Sequence, residues 1–178
     1  MNLYDDKTKP RGSLGRLEEV GMGIVDIRGR VPERLRAVIV VAAGDHGVAA
    51  EGVSAYPQEV TAQMLANFRA GGAAINVLAR QAGAELVVAD RGVGAGTRNM
   101  THGPAMTDAE VERELAAGAE LVDGLGDVDV VALGEMGIAN STAAAALTAA
   151  LLGVEPARVC GRGTGVDDAG LARKIDTV

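Results

Sequence analysis

Short apolar runs are spaced along the chain between segments of helical periodicity. Residues 36–43 contain the continuous β-branched run 38–41, and residues 85–90 contain a second apolar run. A third run covers residues 129–133. Continuous apolar runs of this length are typical of strands that are covered on both faces of a sheet. The first run is therefore predicted to be a buried strand, and the other two runs are predicted to be strands of the same sheet.

Apolar residues in the first half of the chain also recur at helical spacing. Ser13 is expected to be the N-cap of a first helix, and Pro57 to open a second, because a missing N–H costs nothing there. A third helical piece is predicted over 73–81, ended by Gly83. The residues expected on the buried faces are Leu14, Leu17, Val20 and Ile24 in the first helix and Val60, Met64 and Phe68 in the second.

The later helices carry clearer signals at their ends. Thr107 and Glu110 have the spacing of a capping box, and residues 140–152 form an alanine-rich helix with Gly153 past its end. Asp167 is expected to cap a last helix. The apolar residues expected to be buried are Val111, Leu115 and Val122 in the capping-box helix and Leu171, Ile175 and Val178 in the last.

Strands that alternate with helices predict right-handed crossovers and a parallel sheet. The expected fold class is α/β, a three-layer, doubly wound (Rossmann-like) sheet with flanking helices. The chain is expected to be one α/β domain over 1–178. The few strands of the sheet and a helical pattern still running at Val178 suggest that it is a truncated portion of a larger domain, and the family resemblance given below is the main reason to favour this. Residues 9–30 are expected to be a helical N-terminal segment. A small complete domain remains the alternative.

Composition narrows the classes of partner. The net charge of −7 argues against nucleic acid, whose phosphates require a basic surface. The single cysteine, Cys160, cannot form an internal disulfide, which fits the cytoplasm. The longest apolar runs are far shorter than a membrane span, so no membrane association is expected.

Glycine-rich segments follow the predicted strands, where ligands bind in open parallel sheets. The segment 134–142 runs directly into a helix, whose first N–H groups, together with Asn140 and Ser141, can hold a phosphate. The alternative is that Asn140 or Ser141 is only an N-cap, and the two interpretations are about even.

A second glycine-rich loop covers residues 161–165 and is followed by Asp167 and Asp168. Its alternating glycines would let a phosphate or ribose approach, and the two carboxylates could accept bonds from ribose hydroxyls. A plain turn with Asp167 as a helix cap is the alternative, slightly favoured for this motif alone. Neither this loop nor 92–97 has the dinucleotide-binding spacing after the first strand, which argues against a nicotinamide dehydrogenase.

Glu135 and His46 are the candidate titratable groups. Glu135 follows an apolar strand, so loss of water could make it a proton acceptor, although an exposed loop glutamate is the more common case. His46 could act as a base, but the sequence around it also makes a plain turn, and the turn is favoured. Two histidines and one cysteine at distant positions do not suggest a metal site.

Five segments in order resemble the nicotinate mononucleotide:5,6-dimethylbenzimidazole phosphoribosyltransferase family. They are residues 9–18 (KPRGSLGRLE), 43–48 (AGDHGV), 52–61 (GVSAYPQEVT), 134–140 (GEMGIAN) and 161–168 (GRGTGVDD). The resemblance extends over nearly the whole chain but over only about the N-terminal half, or somewhat more, of the family's length. It implies transfer of the phosphoribosyl group of nicotinate mononucleotide to 5,6-dimethylbenzimidazole by a homodimer, with no metal or redox cofactor.

The resemblance also assigns roles to residues. The base and the ribose would be bordered by Glu135, Met136 and Gly137, and the base pocket lined by Ser54 and Gln63. The phosphate would be held by Ile138, Asn140 and Ser141, with Gly163 and Gly165 completing its cradle. Asp167 joins the substrate-binding set through the carboxylate argument above.

Some positions depart from the family. The family's principal base is a glutamate near its C-terminus, and no residue here corresponds to it, so Glu135 is expected to be an auxiliary or substitute base. Arg11, Arg69, Arg91 and Ser141 also differ, and a charge at Arg91 would need a partner. The alternatives are a non-catalytic fragment or degenerate homologue that binds nucleotide or benzimidazole, and a generic nucleotide-binding oxidoreductase.

Overall fold

The computed structural model describes residues 3–178, which contacts divide into two compact units. One is the described part of Met1–Leu35, and the other is Arg36–Val178. No helix in this part of the chain is long and apolar enough to cross a membrane. That 1–178 is a single domain and a portion of a larger one stays a prediction.

The N-terminal unit contains helix α1, Arg16–Arg28. The prediction of Ser13 as its N-cap is wrong, because Gly15 takes a left-handed φ of 55° and the helix starts after it. The expected burial of Leu17 is also wrong, since its side chain is 67% exposed. Glu18 is buried instead, and Lys9 Nζ lies 2.6 Å from its carboxylate. That hydrogen bond lowers the pKa of Glu18.

The second unit is built on a parallel sheet of three strands in the order β2-β1-β3. The strands are β1 Ala37–Ala43, β2 Glu85–Asp90 and β3 Val130–Met136. This open parallel sheet with flanking helices confirms the predicted fold class. The predicted end of the third strand was wrong: pairing with β1 continues to Met136, so Glu135 belongs to the strand and not to a loop.

The helices of this unit largely agree with the end signals in the sequence. Gly71, Gly83 and Gly153 end their helices in the left-handed conformation. Thr107 and Glu110 form the predicted capping box. The helices are α2 Glu59–Ala70, α3 Ala74–Ala82, α4 Asp108–Asp123, α5 Asn140–Leu152 and α6 Asp168–Thr177, with short 3₁₀ turns at Gly47–Glu51 and Pro156–Arg158.

Helices α2 and α3 cover one face of the sheet. The buried residues Val41, Phe68 and Ala73 form this core, and partly buried Met64 packs against it. The predicted buried face of α2 is therefore confirmed at Phe68. Thr61 is fully buried as well, which the apolar pattern of α2 does not indicate.

Other apolar side chains lie open to solvent. The predicted burial of Val111, Leu115 and Val122 on α4 is wrong, because they are 41%, 71% and 45% exposed. Leu133 on β3 and Leu151 on α5 are also more than four-fifths exposed, at 82% and 81%. No described element covers these side chains, so their apolar spacing is not matched by burial within this chain.

Candidate phosphoribosyl site

The carboxyl ends of the strands bring their loops to one edge of the sheet. Ala43 pairs with Asp90 on one side and with Met136 on the other, so the chain leaves all the strands at one level. The loops then touch closely: a Cβ added to Gly137 would lie 2.3 Å from the carbonyl oxygen of Gly44. Only glycine fits at position 137, which explains part of the glycine-rich pattern.

A cavity of about 300 Å³ opens at this edge, beside the start of α5. Most of the residues predicted to bind substrate meet there, although they come from distant parts of the sequence. The lining residues are Val53, Ser54, Glu135, Met136, Gly137, Ile138, Ala139, Asn140, Ser141, Gly163 and Thr164.

Gln63, Gly165 and Asp167 do not line this cavity. Gln63 is exposed on α2, and Gly165 is exposed in the loop before α6. Asp167 caps α6, where its carboxylate accepts a hydrogen bond of 2.8 Å from the Gly170 N–H. The geometry therefore shows Asp167 as a helix cap. A ligand-binding role for Gln63, Gly165 and Asp167 stays a prediction.

The turn into α5 is held in an unusual backbone conformation. Ala139 has a φ of 69° and is the one residue other than glycine in 3–178 with a positive φ. The hydroxyl of buried Thr61 accepts a hydrogen bond of 3.0 Å from the Ile138 N–H. Such strain persists only where neighbours fix it. Thr61 therefore supports the start of α5. In the sequence, the only indication of this role is a polar residue next to apolar Val60.

Backbone donors along the cavity wall remain unused. Among the described residues, the N–H groups of Ser141, Gly163 and Thr164 make no backbone or side-chain hydrogen bond. All of these residues line the cavity. Unused N–H groups beside a helix start, where the helix dipole is positive, are suited to an anion.

Lys174 supplies a buried positive charge next to these donors. Its side chain on α6 is 1% exposed, and its Nζ donates to Ser141 Oγ at 2.8 Å and to the Gly161 carbonyl at 2.9 Å. Burial lowers its pKa, an effect that nearby Cys160 partly offsets. No carboxylate in the described chain pairs with it. The sequence prediction missed Lys174, although its place beside Leu171 and Ile175, which were expected to be buried, is a signal that the lysine is buried too.

Glu135, Asn140 and His46 form a chain of hydrogen bonds. The Asn140 side-chain amide donates to Glu135 Oε2, and its oxygen lies 2.7 Å from His46 Nε2. The interpretation of His46 as a plain turn was wrong, because its side chain reaches a residue at the start of α5. Glu135 is exposed, as most glutamates are, but it lines the cavity from the end of a strand and not from a loop.

Ser54 and Thr164, which both line the cavity, hold two of its loops together. Their hydroxyl oxygens lie 2.9 Å apart, and the Ala55 N–H donates to Thr164 Oγ1 at 3.0 Å. These bonds join the loop after the first 3₁₀ turn to the glycine loop before α6. Thr164 lies inside a predicted motif but was not among the predicted site residues.

A neighbouring cavity of about 400 Å³ lies at the end of β2. Its arginines are already paired: Arg91 lies 2.6 Å from Glu114, and Arg98 lies 2.9 Å from Glu110. The bond from Arg98, together with the hydrogen bonds from Thr107, lowers the pKa of Glu110 to about 2. The expected partner of Arg91 therefore exists. Because these charges cancel within the chain, this cavity is less suited to an anion than the one beside α5.

Comparison with known proteins shows which family the chain resembles. A family described as phosphoribosyltransferase matches residues 2–178. A nicotinate-nucleotide–dimethylbenzimidazole phosphoribosyltransferase of Desulforudis audaxviator is 50% identical, with 98% of this chain and 54% of the relative covered. The corresponding protein of Deinococcus radiodurans is 52% identical, with 96% and 53% covered.

A solved structure shows the same likeness in three dimensions. The crystal structure of CobT from Thermus thermophilus superposes with a TM-score of 0.88 at 52% identity, covering 97% of this chain and 57% of that one. The chain thus spans slightly more than half the length of these relatives. The match over residues 2–178 and the identity of about half of the aligned positions show that the chain belongs to this phosphoribosyltransferase family.

Proposed function

We propose that this chain binds the phosphoribosyl group of nicotinate mononucleotide and takes part in its transfer to 5,6-dimethylbenzimidazole. The products are α-ribazole 5′-phosphate and nicotinate, which places the reaction in the synthesis of the cobalamin lower ligand. The relatives named for this activity are about twice as long. The proposal therefore assigns to this chain the phosphate site and part of the base site.

The observation that carries the proposal is the buried ammonium of Lys174. A buried charge without a counterion is unfavourable, and a phosphate placed beside Ser141 would supply the missing negative charge. The same phosphate would accept hydrogen bonds from the unused N–H groups of Gly163 and Thr164. Backbone donors, a helix start and a fixed cation together suit a phosphomonoester.

The reacting groups would meet in this cavity, which Ser54 and Glu135 both line. An azole nitrogen attacks the anomeric carbon while the bond to nicotinate breaks and its electron pair passes to the leaving ring. The azole N–H proton then moves to a base. Glu135 is suited to this role, because the Asn140 amide holds one carboxylate oxygen and the other can accept the proton.

Holding both reactants on one rigid edge supplies the positional part of catalysis. Met136 and Gly137 border the space next to Glu135, so they would contact the base and ribose. Roles for Gln63, Gly165 and Asp167 rest on the resemblance and the motif alone. The enzyme is further proposed to work in the cytoplasm as a homodimer; the single cysteine supports the first, and the exposed leucines of β3 and α5 support the second.

A second candidate function is binding without turnover. The observation that favours it is the share of the relatives' length, between 53% and 57% in those described above, that this chain covers. It would retain the phosphate site around Lys174 and Ser141 but would lack groups that the rest of a relative supplies.

The test is a chromatographic assay of the 178-residue protein with nicotinate mononucleotide and 5,6-dimethylbenzimidazole. Nicotinate and α-ribazole phosphate above the no-enzyme control, lost in Glu135→Gln while nucleotide binding persists, would establish transfer with Glu135 as the base. Saturable binding of nicotinate mononucleotide with no product would support the binding function. Absence of both from a folded sample would refute the proposal.

A further inference from the structure

The hydrogen bonds between His46, Asn140 and Glu135 join three separate elements at the edge of the sheet. His46 follows β1, Asn140 is the first residue of α5, and Glu135 lies near the end of β3. Asn140 and Glu135 line the cavity beside α5, whereas His46 does not. The histidine therefore reaches this cavity only through the side chain of Asn140.

The directions of the bonds follow from the chemistry of an amide, which has a donor end and an acceptor end. The Asn140 Nδ2 donates to Glu135 Oε2. Its Oδ1 must then be the acceptor toward His46 Nε2, 2.7 Å away, so Nε2 carries a proton. A flipped amide would place its oxygen against the carboxylate and its NH₂ against the protonated ring nitrogen. The carboxylate of Glu135 and the N–H of His46 therefore favour the same orientation of the Asn140 amide, and His46 holds the acceptor end of that amide.

The imidazole is itself held in place. The backbone of His46 pairs with Thr97, the Ala49 N–H donates to its carbonyl at 3.0 Å, and the next residue, Gly47, donates to the Thr97 carbonyl at 3.0 Å. A Cβ on Gly137 would lie 3.5 Å from His46 Cδ2, so the absence of a side chain there leaves room for the ring. A fixed ring is what an orienting group requires.

We infer that His46 is a positioning residue, which holds the Asn140 amide with its NH₂ toward Glu135 and so keeps that carboxylate turned to the cavity. Its effect on turnover rests on the proposed function; its effect on the Asn140 amide does not. A role as a base for the reaction is not supported, because Nε2 is engaged with Asn140 and the residue lines an adjoining space, together with Asn140 and Glu135, and not the cavity beside α5.

The test compares His46→Ala, His46→Gln and His46→Asn with the parent by NMR of the Asn140 side-chain NH₂, assigned by its loss in Asn140→Asp. Glutamine carries an amide N–H at about the reach of Nε2, whereas asparagine is one carbon shorter. The Asn140 resonances are expected to shift and to exchange faster with solvent in the Ala and Asn variants, and to return toward parental values in the Gln variant. If the Asn140 NH₂ resonances kept their parental chemical shifts and exchange rates in all variants, the inference would be overturned.

Turnover provides the second readout. With nicotinate mononucleotide and 5,6-dimethylbenzimidazole, His46→Ala is expected to lower kcat on the order of 100-fold, the cost of a misplaced reacting group, with KM for the nucleotide nearly unchanged. His46→Gln should recover most of this loss. An unchanged kcat in a folded His46→Ala protein would contradict the inference. If the parent neither binds nor turns over the nucleotide, the proposed function fails, and the Asn140 resonances alone decide the role of His46.

Discussion

Replacing Lys174 with methionine separates its effect on ligand binding from its effect on stability. The substitution keeps most of the length and the apolar part of the side chain but removes the buried charge and the donors to Ser141 Oγ, at 2.8 Å, and the Gly161 carbonyl, at 2.9 Å. If the ammonium is a counter-charge for phosphate, nucleotide binding depends on it and folding does not. If it is a structural link between α6 and the glycine loop, both should fall together.

The substitution is expected to change nucleotide affinity strongly and stability only slightly. A phosphate beside Ser141 would accept a hydrogen bond from the third N–H of the Lys174 ammonium, and such a bond between charged groups contributes about 1.5 to 3 kcal/mol. Its loss should raise the Kd for nicotinate mononucleotide roughly 10- to 150-fold. Replacing a buried charge that has no counterion relieves a desolvation cost, which offsets the loss of neutral hydrogen bonds worth about 1 kcal/mol each. The Tm should therefore stay within about 4 °C of the parent.

Isothermal titration with nicotinate mononucleotide and thermal unfolding of the ligand-free protein measure the two effects. Arg80→Met is a matched control, since it removes one positive charge from an exposed position on α3 that does not line the cavity. This control should bind the nucleotide like the parent. Parental affinity in Lys174→Met would refute the counter-charge argument. A large fall in the Tm of Lys174→Met together with its loss of binding would instead assign Lys174 a structural role, and an equal loss of binding in Arg80→Met would show that the effect is not specific to Lys174.

Further predictions concern the glycine loop, the cap of α6 and pH. Gly163→Ala should weaken nucleotide binding more than tenfold by titration, because its Cβ would lie 2.7 Å from Ser141 Oγ at a φ of 51°. Asp167→Ala should lower the free energy of unfolding by about 1 kcal/mol in denaturant titrations, through loss of the helix cap, while leaving nucleotide affinity unchanged. Because burial lowers the pKa of Lys174, its positive charge is lost at a lower pH than that of a free lysine. Binding of inorganic phosphate should accordingly weaken as pH rises through that lowered pKa, and this loss should be absent from Lys174→Met. In the ligand-free protein the same group works in the opposite direction: the folded state binds fewer protons than the unfolded state between the two pKa values, so its contribution to stability rises with pH in that window.

Each of these predictions has a contrary outcome. Parental nucleotide affinity in Gly163→Ala would place the ligand away from the glycine loop. Reduced affinity in Asp167→Ala without loss of stability would favour the ribose-binding interpretation of that carboxylate. An equal pH dependence of phosphate binding in the parent and in Lys174→Met would assign the effect to another group.

The elements with strong local signals could be predicted from the sequence. The helix Asn140–Leu152 has the predicted bounds, since a glycine loop precedes it and Gly153 ends it. The strand Glu85–Asp90 was likewise predicted in full. The strand Val130–Met136 was predicted too short, because Gly134 and Glu135 have low strand propensity and only the pairing with β1 extends the strand through them.

The site was predictable where glycine motifs mark it and not where single side chains complete it. Ser141 and Gly163 lie in motifs, and the structure brings them to one cavity. Lys174 lies 33 positions after Ser141, and nothing local indicates that its ammonium returns to that residue. The contact of His46 with Asn140 spans 94 positions and depends on strand order, which a local pattern does not contain.

The exposed apolar residues show a different limit. The spacing of Leu115 and Val122 on α4 predicts a buried face, yet no element of residues 3–178 covers them. Periodicity indicates that a face is suited to burial, but it does not say which segment will cover it.

The most direct test of the phosphate site is a titration of nicotinate mononucleotide into the ¹⁵N-labelled 178-residue protein, followed through the backbone amide resonances. Saturable shifts that are largest at Ser141, Gly163 and Thr164 are predicted, because their N–H groups are unused in the free protein and line the cavity beside α5. Absence of saturable binding, or shifts centred on Arg91 and Arg98 in the neighbouring cavity, would contradict the proposed site.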